Sequence, residues 1–246
     1  MSDNSTQLVV ERDRQITTLT LNRPEKHNAL SPELVEMLLR AVDEATHNET
    51  RLLVIKGNGK SLCAGFDFTD VREQSDADLV LRFVRLELLL QAVHHAPCAT
   101  LALGQGACFG AGADLFAACT ARVCATGTRF RMPGLRFGVV LGTRRLANLI
   151  GATAARGLLE NTRVFEAEQA LQCGFATGLR PQSDWPQIVN EAAMTAVSLP
   201  AQAQRAMLGR TVTDTRDVDL AALVRSVAGP GLRDRIVEFI DESKAR

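Results

Sequence analysis

The stretch LLVIKGNGKSLCAGFDF, residues 52–68, opens on a short apolar run bounded by Arg51 and Gly57 and closes on a turn of small residues, Cys63-Ala64-Gly65-Phe66-Asp67. A run of this kind reads as a buried strand. The arrangement returns further along: CATLALGQG (98–106) is a second buried strand ending in glycines, followed by Gly110-Ala111-Gly112-Ala113-Asp114. Both turns stand at carboxyl ends of strands. In a parallel sheet neighbouring strand ends face one crevice, and backbone N–H groups at a turn or helix start lack internal partners. Two of them can then converge on one oxygen as an oxyanion hole. Small residues suit this, because a ligand carbonyl must come within about 2.7–3.1 Å of main-chain nitrogen. The spacing alone equally fits glycines that serve only tight turns and close packing.

Working outward, LVVE (8–11), a polar turn from Arg12 to Gln15 and ITTLTL (16–21) predict a β-hairpin. Ser31-Pro32 supplies a helix cap and a first helical residue, and Leu34, Val35, Leu38, Leu39 and Val42 form one stripe behind them. Leu79, Phe83, Leu86, Leu90 and Val93 predict a helix over 77–94. GAGADLFAAC (110–119) reads as a helix opened by small residues, and ARVCAT (121–126) as the strand after it. Strand and helix alternate to about residue 150, which predicts an α/β fold with parallel pairing and right-handed crossovers. From 142 to 246 the pattern is mostly helical. Its last stretch, Gly231 to Arg246, carries Ile236, Val237, Phe239 and Ile240 among charges, an amphipathic helix able to pack on its own domain or on a neighbour. The expected division is a core over 1–190 and a helical region over 191–246.

The 246 residues are 46% hydrophobic with mean hydropathy +0.01, ordinary material for a core that buries about 70–75% of the unfolded surface. Lys+Arg 28 against Asp+Glu 28, aromatics at 4% and no Tyr argue against a nucleic-acid partner. No apolar window approaches the roughly 20 residues of a membrane span, and MSDNSTQLVVERDRQ lacks the features of a signal peptide, so a cytoplasmic location is expected. Cysteines 63, 98, 108, 119, 124 and 173 contain no C-x-x-C and lie mostly in apolar surroundings, which predicts reduced thiols. Histidines 27, 47, 94 and 95 show no metal-ligand spacing, and no metal is expected.

Three motif readings fail on spacing. Gly59-Lys60-Ser61 resembles the end of a phosphate loop, but that loop needs glycine where Val54 stands. Gly104, Gly106 and Gly110 miss the dinucleotide fingerprint by one residue, because Phe109 occupies its third position. There is no G-x-S-x-G nucleophile elbow.

LNRPEKHNALSPEL (21–34), LLVIKGNGKSLCAGFDF (52–68), GACFGAGADL (106–115), FRMPGL (130–135) and GTRRL (142–146) resemble, in order, successive landmarks of the crotonase superfamily, the enoyl-CoA hydratase/isomerase group. The resemblance implies a crotonase-like spiral of ββα turns with a C-terminal helical trimerisation region, assembled as a homotrimer or dimer of trimers. It implies an acyl-CoA thioester as partner, with coenzyme A entering as part of the substrate and no other cofactor. The backbone N–H groups of Phe66 and Ala111 would form the oxyanion hole. Lys26 and His27 would lie along the CoA part, with Ala64, Asp67 and Phe68 around its path; a solvated loop is the other reading of Lys26 and His27. Asp114 occupies the position of the first hydratase glutamate and is the expected acid/base; as a residue of a first helical turn it also suits the helix dipole.

Two departures stand out. Aspartate withdraws its carboxylate by roughly 1.5 Å relative to glutamate, and the second glutamate position holds Gly134. Arg131, Arg136 and Glu160 lie nearby in sequence without a family role. The segment between Gly138 and Gly142 is shorter than the family's loop, and Phe66 replaces a smaller residue. One-base chemistry, a double-bond shift or α-proton exchange, therefore fits better than efficient hydration. A catalytically impaired CoA-binding or assembly subunit of the same fold is the alternative.

Overall fold

A computed structural model describes residues 6–245. Residues 1–5, where the targeting reading begins, and Arg246, the last residue of the expected terminal helix, lie outside it. Strands β1 (Leu8–Asp13) and β2 (Ile16–Leu21) form the expected hairpin, paired from Leu8 with Leu21 to Asp13 with Ile16. The turn is thus shorter than the polar stretch suggested: Arg14, at φ 53°, and Gln15 make it alone, as a two-residue hairpin loop allows. Helix α1 (Pro32–His47) starts where Ser31 Oγ accepts from Leu34 N–H at 3.2 Å. After β3 (Leu52–Gly57) comes α2 (Asp76–His94), opened by a reciprocal Ser75–Asp78 capping box.

The chain continues through β4 (Ala99–Gly104), β5 (Ala107–Phe109), α3 (Ala111–Ala118), β6 (Ala121–Cys124), β7 (Arg129–Arg131), α4 (Thr143–Ile150) and α5 (Ala152–Glu160). Then follow β8 (Phe165–Glu166), α6 (Ala167–Gln172), β9 (Gly178–Leu179), α7 (Trp185–Ser198), α8 (Ala201–Thr211), α9 (Arg216–Val227) and α10 (Leu232–Lys244). The main sheet runs β1-β2-β3-β4-β6-β9, parallel after the first pair. A second sheet, β5-β7-β8, is implied by the ββα spiral of the resemblance but not by the residue pattern, because strands of two or three residues carry no readable period. Together the sheets make the spiral: a main-sheet strand, a short second strand, then a helix. Successive turns are β3, the Cys63 bridge to Cys108 and α2; β4, β5 and α3; β6, β7 and α4.

The near-continuous apolar runs of β3 and β4 are explained by burial of both faces. Leu53 and Ile55 point into the main core with α1 and α2, while Leu52, Val54, Leu101 and Leu103 pack on the opposite side against Ile188, Val189 and Ala192 of α7. Helix α10 packs on its own domain, and its Phe239 lies 5.0 Å from Phe137 and 6.3 Å from Phe68, ring centre to ring centre. Among the described residues no helix is long and apolar enough to cross a membrane.

Candidate active site

The loop after β3 is stitched to Leu30 by two hydrogen bonds: Leu30 N–H to Gly65 O at 2.7 Å and Asp67 N–H to Leu30 O at 3.2 Å. In this parallel register the partner chain of bonds skips Phe66. Its N–H has no acceptor among the described residues. Cys63 and the β5 strand run side by side, with Phe109 N–H donating to Cys63 O at 3.0 Å. The approach is so close that a β-carbon on Gly65, at φ 95°, would sit 2.5 Å from Phe109 O and 3.3 Å from Ala111 N. Glycine is required there on both counts.

Gly110 turns the chain at φ 49°, and Ala111 becomes the first residue of α3. A first helical N–H has no partner within its helix, and Ala111 N–H finds none elsewhere among the described residues. The two uncommitted amides therefore belong to adjoining segments. Phe66 and Ala111 line the same cavity, of about 60 Å³, together with Ala64, Asp114 and Gly134.

Apart from Thr143, the rest of that cavity is apolar. The Phe66 ring stacks on Phe83 at 4.6 Å and carries the Arg82 guanidinium 3.9 Å from its centre. Phe66 thus both packs in the core and narrows the pocket. Phe68 and Phe137 meet edge-on at 6.2 Å and extend the wall. Asp114 is 3% exposed, and its Oδ1 has no hydrogen-bond partner. Burial pushes its carboxyl well above the usual carboxylate range; the Arg145 guanidinium opposes the shift and the Glu87 carboxylate adds to it. Glu87 of α2 and Arg145 of α4 form a buried ion pair, and Gln91 Nε2 donates to Glu87 Oε1 at 2.9 Å. A β-carbon at Gly142, φ 64°, would fall on Asp114 Oδ1, so this glycine makes the room the carboxyl occupies.

Gly134 lines the cavity but contributes no side chain, and a β-carbon there would come within 3.0 Å of Val139 O. The segment after it, through Val139, packs closely against Gly134. Lys26 and His27 are exposed; His27 O accepts from Ala64 N–H at 2.9 Å, which brings the 26–27 loop beside the mouth, and His27 Nδ1 lies 3.3 Å from Ser61 Oγ. Asp67 is engaged within the protein. Its carboxylate pairs with Arg23 at 2.8 Å and accepts from Thr69 N–H and Oγ1. Against the cost of burial, Thr69 and Arg23 hold it below its usual pKa. Phe68 faces the apolar cavity with Phe66. Arg131 Nε donates to Thr162 O, and Arg136 pairs with Glu242. Sequence reasoning missed Glu87, Gly142 and Arg145 as neighbours of Asp114. A signal existed for Glu87, a charged residue four positions after Phe83 on the buried stripe of α2. Among the described residues no group of three or more His, Cys, Asp or Glu is placed to hold a metal ion.

An α/β spiral whose strand-end loops meet at one cavity is a fold of the crotonase class. Residues 11–223 match the family model described as enoyl-CoA hydratase/isomerase, and the chain belongs to that family. A crystal structure from Bordetella parapertussis, assigned to the enoyl-CoA hydratase/isomerase group, is 47% identical with a TM-score of 0.95, covering 96% of this chain and 99% of that one. The Mycobacterium leprae protein named probable enoyl-CoA hydratase echA6 is 33% identical over 176 residues, 69% of each chain. The Mycosarcoma maydis enoyl-CoA isomerase/hydratase fer4 is 29% identical over 220 residues, 82% of this chain and 80% of that one.

Proposed function

We propose that the protein binds acyl-CoA thioesters and acts at their α-carbon, with the Phe66 and Ala111 amides receiving the thioester oxygen and Asp114 moving the proton. The observation that carries this reading is the pair of uncommitted N–H groups lining one cavity with a buried carboxyl. When the α C–H bond breaks, its electron pair delocalises onto the thioester oxygen and the proton passes to Asp114. Donors already aimed at that oxygen need no reorganisation, and losing one such donor costs about 2.7–4 kcal/mol in other enzymes. Burial raises the Asp114 pKa, so its carboxyl holds a proton more strongly than an exposed carboxylate does.

Syn hydration uses two carboxylates on one water, and Gly134 offers none, so a double-bond shift or α-proton exchange suits the site better. The CoA part would follow Lys26, His27, Ala64 and Phe68, with Asp67 bracing the loop through Arg23. The reading includes a cytoplasmic enzyme whose 191–246 helical region assembles it as a homotrimer or dimer of trimers, which sedimentation tests. Gly134 also favours a second reading, a CoA-binding or assembly subunit without turnover. Incubating a saturated acyl-CoA with the protein in deuterated water separates the two. Asp114-dependent exchange at the α-carbon supports the enzyme; binding without exchange across an acyl panel supports the subunit.

A further inference from the structure

The start of α4 is a thin partition between two cavities. On one side lies the apolar cavity, in which Asp114 and Thr143 are the only polar side chains among the described lining residues. On the other lies a cavity of about 360 Å³ with a polar wall that includes Glu87, Thr143, Arg145, Asn148 and Asp219. Thr143 is the one described residue that lines both. Its hydroxyl makes no hydrogen bond among the described residues, and a free hydroxyl rotates to donate and accept in turn. Asp114 Oδ1, unpartnered, is sealed against Gly142, the residue before it.

An acyl group in the apolar cavity would leave Thr143 as the one polar side chain beside Asp114 among the described lining residues. The rear cavity is roomy and polar enough for water, which needs only about 10–15 Å³ and a few polar partners. We propose that the Thr143 hydroxyl relays protons between the Asp114 carboxyl and this rear cavity, so that the acid/base can exchange with solvent while the acyl pocket is filled. The inference rests on Asp114 being the acid/base. Thr143 and Asp114 share no hydrogen bond in this structure, so the step requires the Thr143 side chain to turn about χ1 toward the carboxyl; protonated Asp114 then gives its proton to the Thr143 oxygen as the hydroxyl gives its own to cavity water. Asp114 ends as the carboxylate, Thr143 is unchanged, and the proton leaves to bulk water; the reverse step returns a deuteron in deuterated solvent. The buried Glu87–Arg145 pair holds the rear wall and the start of α4 in register.

The test compares two readouts in the full-length protein: deuterium wash-in at the α-carbon of butanoyl-CoA, and the fraction of label carried intramolecularly in a 3-enoyl to 2-enoyl shift. Thr143→Val should slow wash-in by at least about tenfold, the size of a lost proton-transfer partner, and raise the intramolecular fraction. Thr143→Ser should restore both. Ala222→Leu, which fills the rear cavity away from Asp114, should also slow wash-in, and it decides the matter if Thr143→Val fails to fold. Wash-in at the wild-type rate in Thr143→Val, or in Ala222→Leu where that variant decides, would overturn the relay alone. Absence of Asp114-dependent wash-in in the wild type would overturn the acid/base reading and the relay with it.

Discussion

At the scale of the residue, the proposed chemistry and its cost both rest on Asp114. Its folded pKa lies above that of the unfolded chain, so the folded state keeps a proton that the unfolded state releases. The stability this contributes is complete below the unfolded value, near 3.8, and is lost as pH rises through the folded one. Asp114→Asn removes the titration. Its Tm relative to wild type should therefore climb as pH rises above about 4, read by calorimetry; a difference independent of pH would contradict the assignment. The same variant should lower α-proton exchange by about 10²–10⁴-fold, the usual contribution of a positioned general base, with CoA affinity kept. Asp114 and Gly134 were legible as residue types at expected positions. The need for Gly142 was not, since it arises from a carboxyl on another helix that no local pattern reveals.

At the scale of the element, the apolar wall draws on three separate pieces, Phe66 and Phe68 after β3, Phe83 on α2 and Phe137 in the 134–137 turn, and Phe239 of α10 packs against Phe68 and Phe137. A cavity of about 60 Å³, at roughly 10–15 Å³ per water-sized group, accepts on the order of four to six non-hydrogen atoms. Short acyl groups of about four carbons should be preferred. Phe137→Ala should raise kcat/KM for octanoyl-chain substrates by at least about tenfold, since each buried CH₂ contributes about 0.8 kcal/mol. Wild-type activity that climbs steadily to long chains would contradict the geometry. Long, strongly patterned elements such as α1 and α2 were readable because a stripe and a cap agree over many residues. The wall was not, because its rings come from segments that are distant in sequence and only the fold brings them together.

At the scale of the whole molecule, burying both faces of the main sheet leaves the thiols little access to solvent. Burial pushes Cys63 and Cys119 up to about 12, and Cys98 and Cys124 up to about 11. All six cysteines are free and only Cys173 is not fully buried. Native protein at about pH 8 should take up iodoacetamide chiefly at Cys173, by mass spectrometry, because the thiolate is the reactive form; rapid native labelling of Cys63 would contradict the packing. The reduced state was legible in the apolar settings of these residues, as was the parallel core in the alternation of strand and helix. Spacing alone allowed a convergence of two loops on one point without requiring it, and only the resemblance named Phe66 and Ala111. That convergence is the central claim, and a crystal structure with butanoyl-CoA bound tests it most directly. The thioester oxygen should lie within about 2.7–3.1 Å of both the Phe66 and Ala111 nitrogens. An oxygen held by other groups, with either amide turned away from it, would contradict the account.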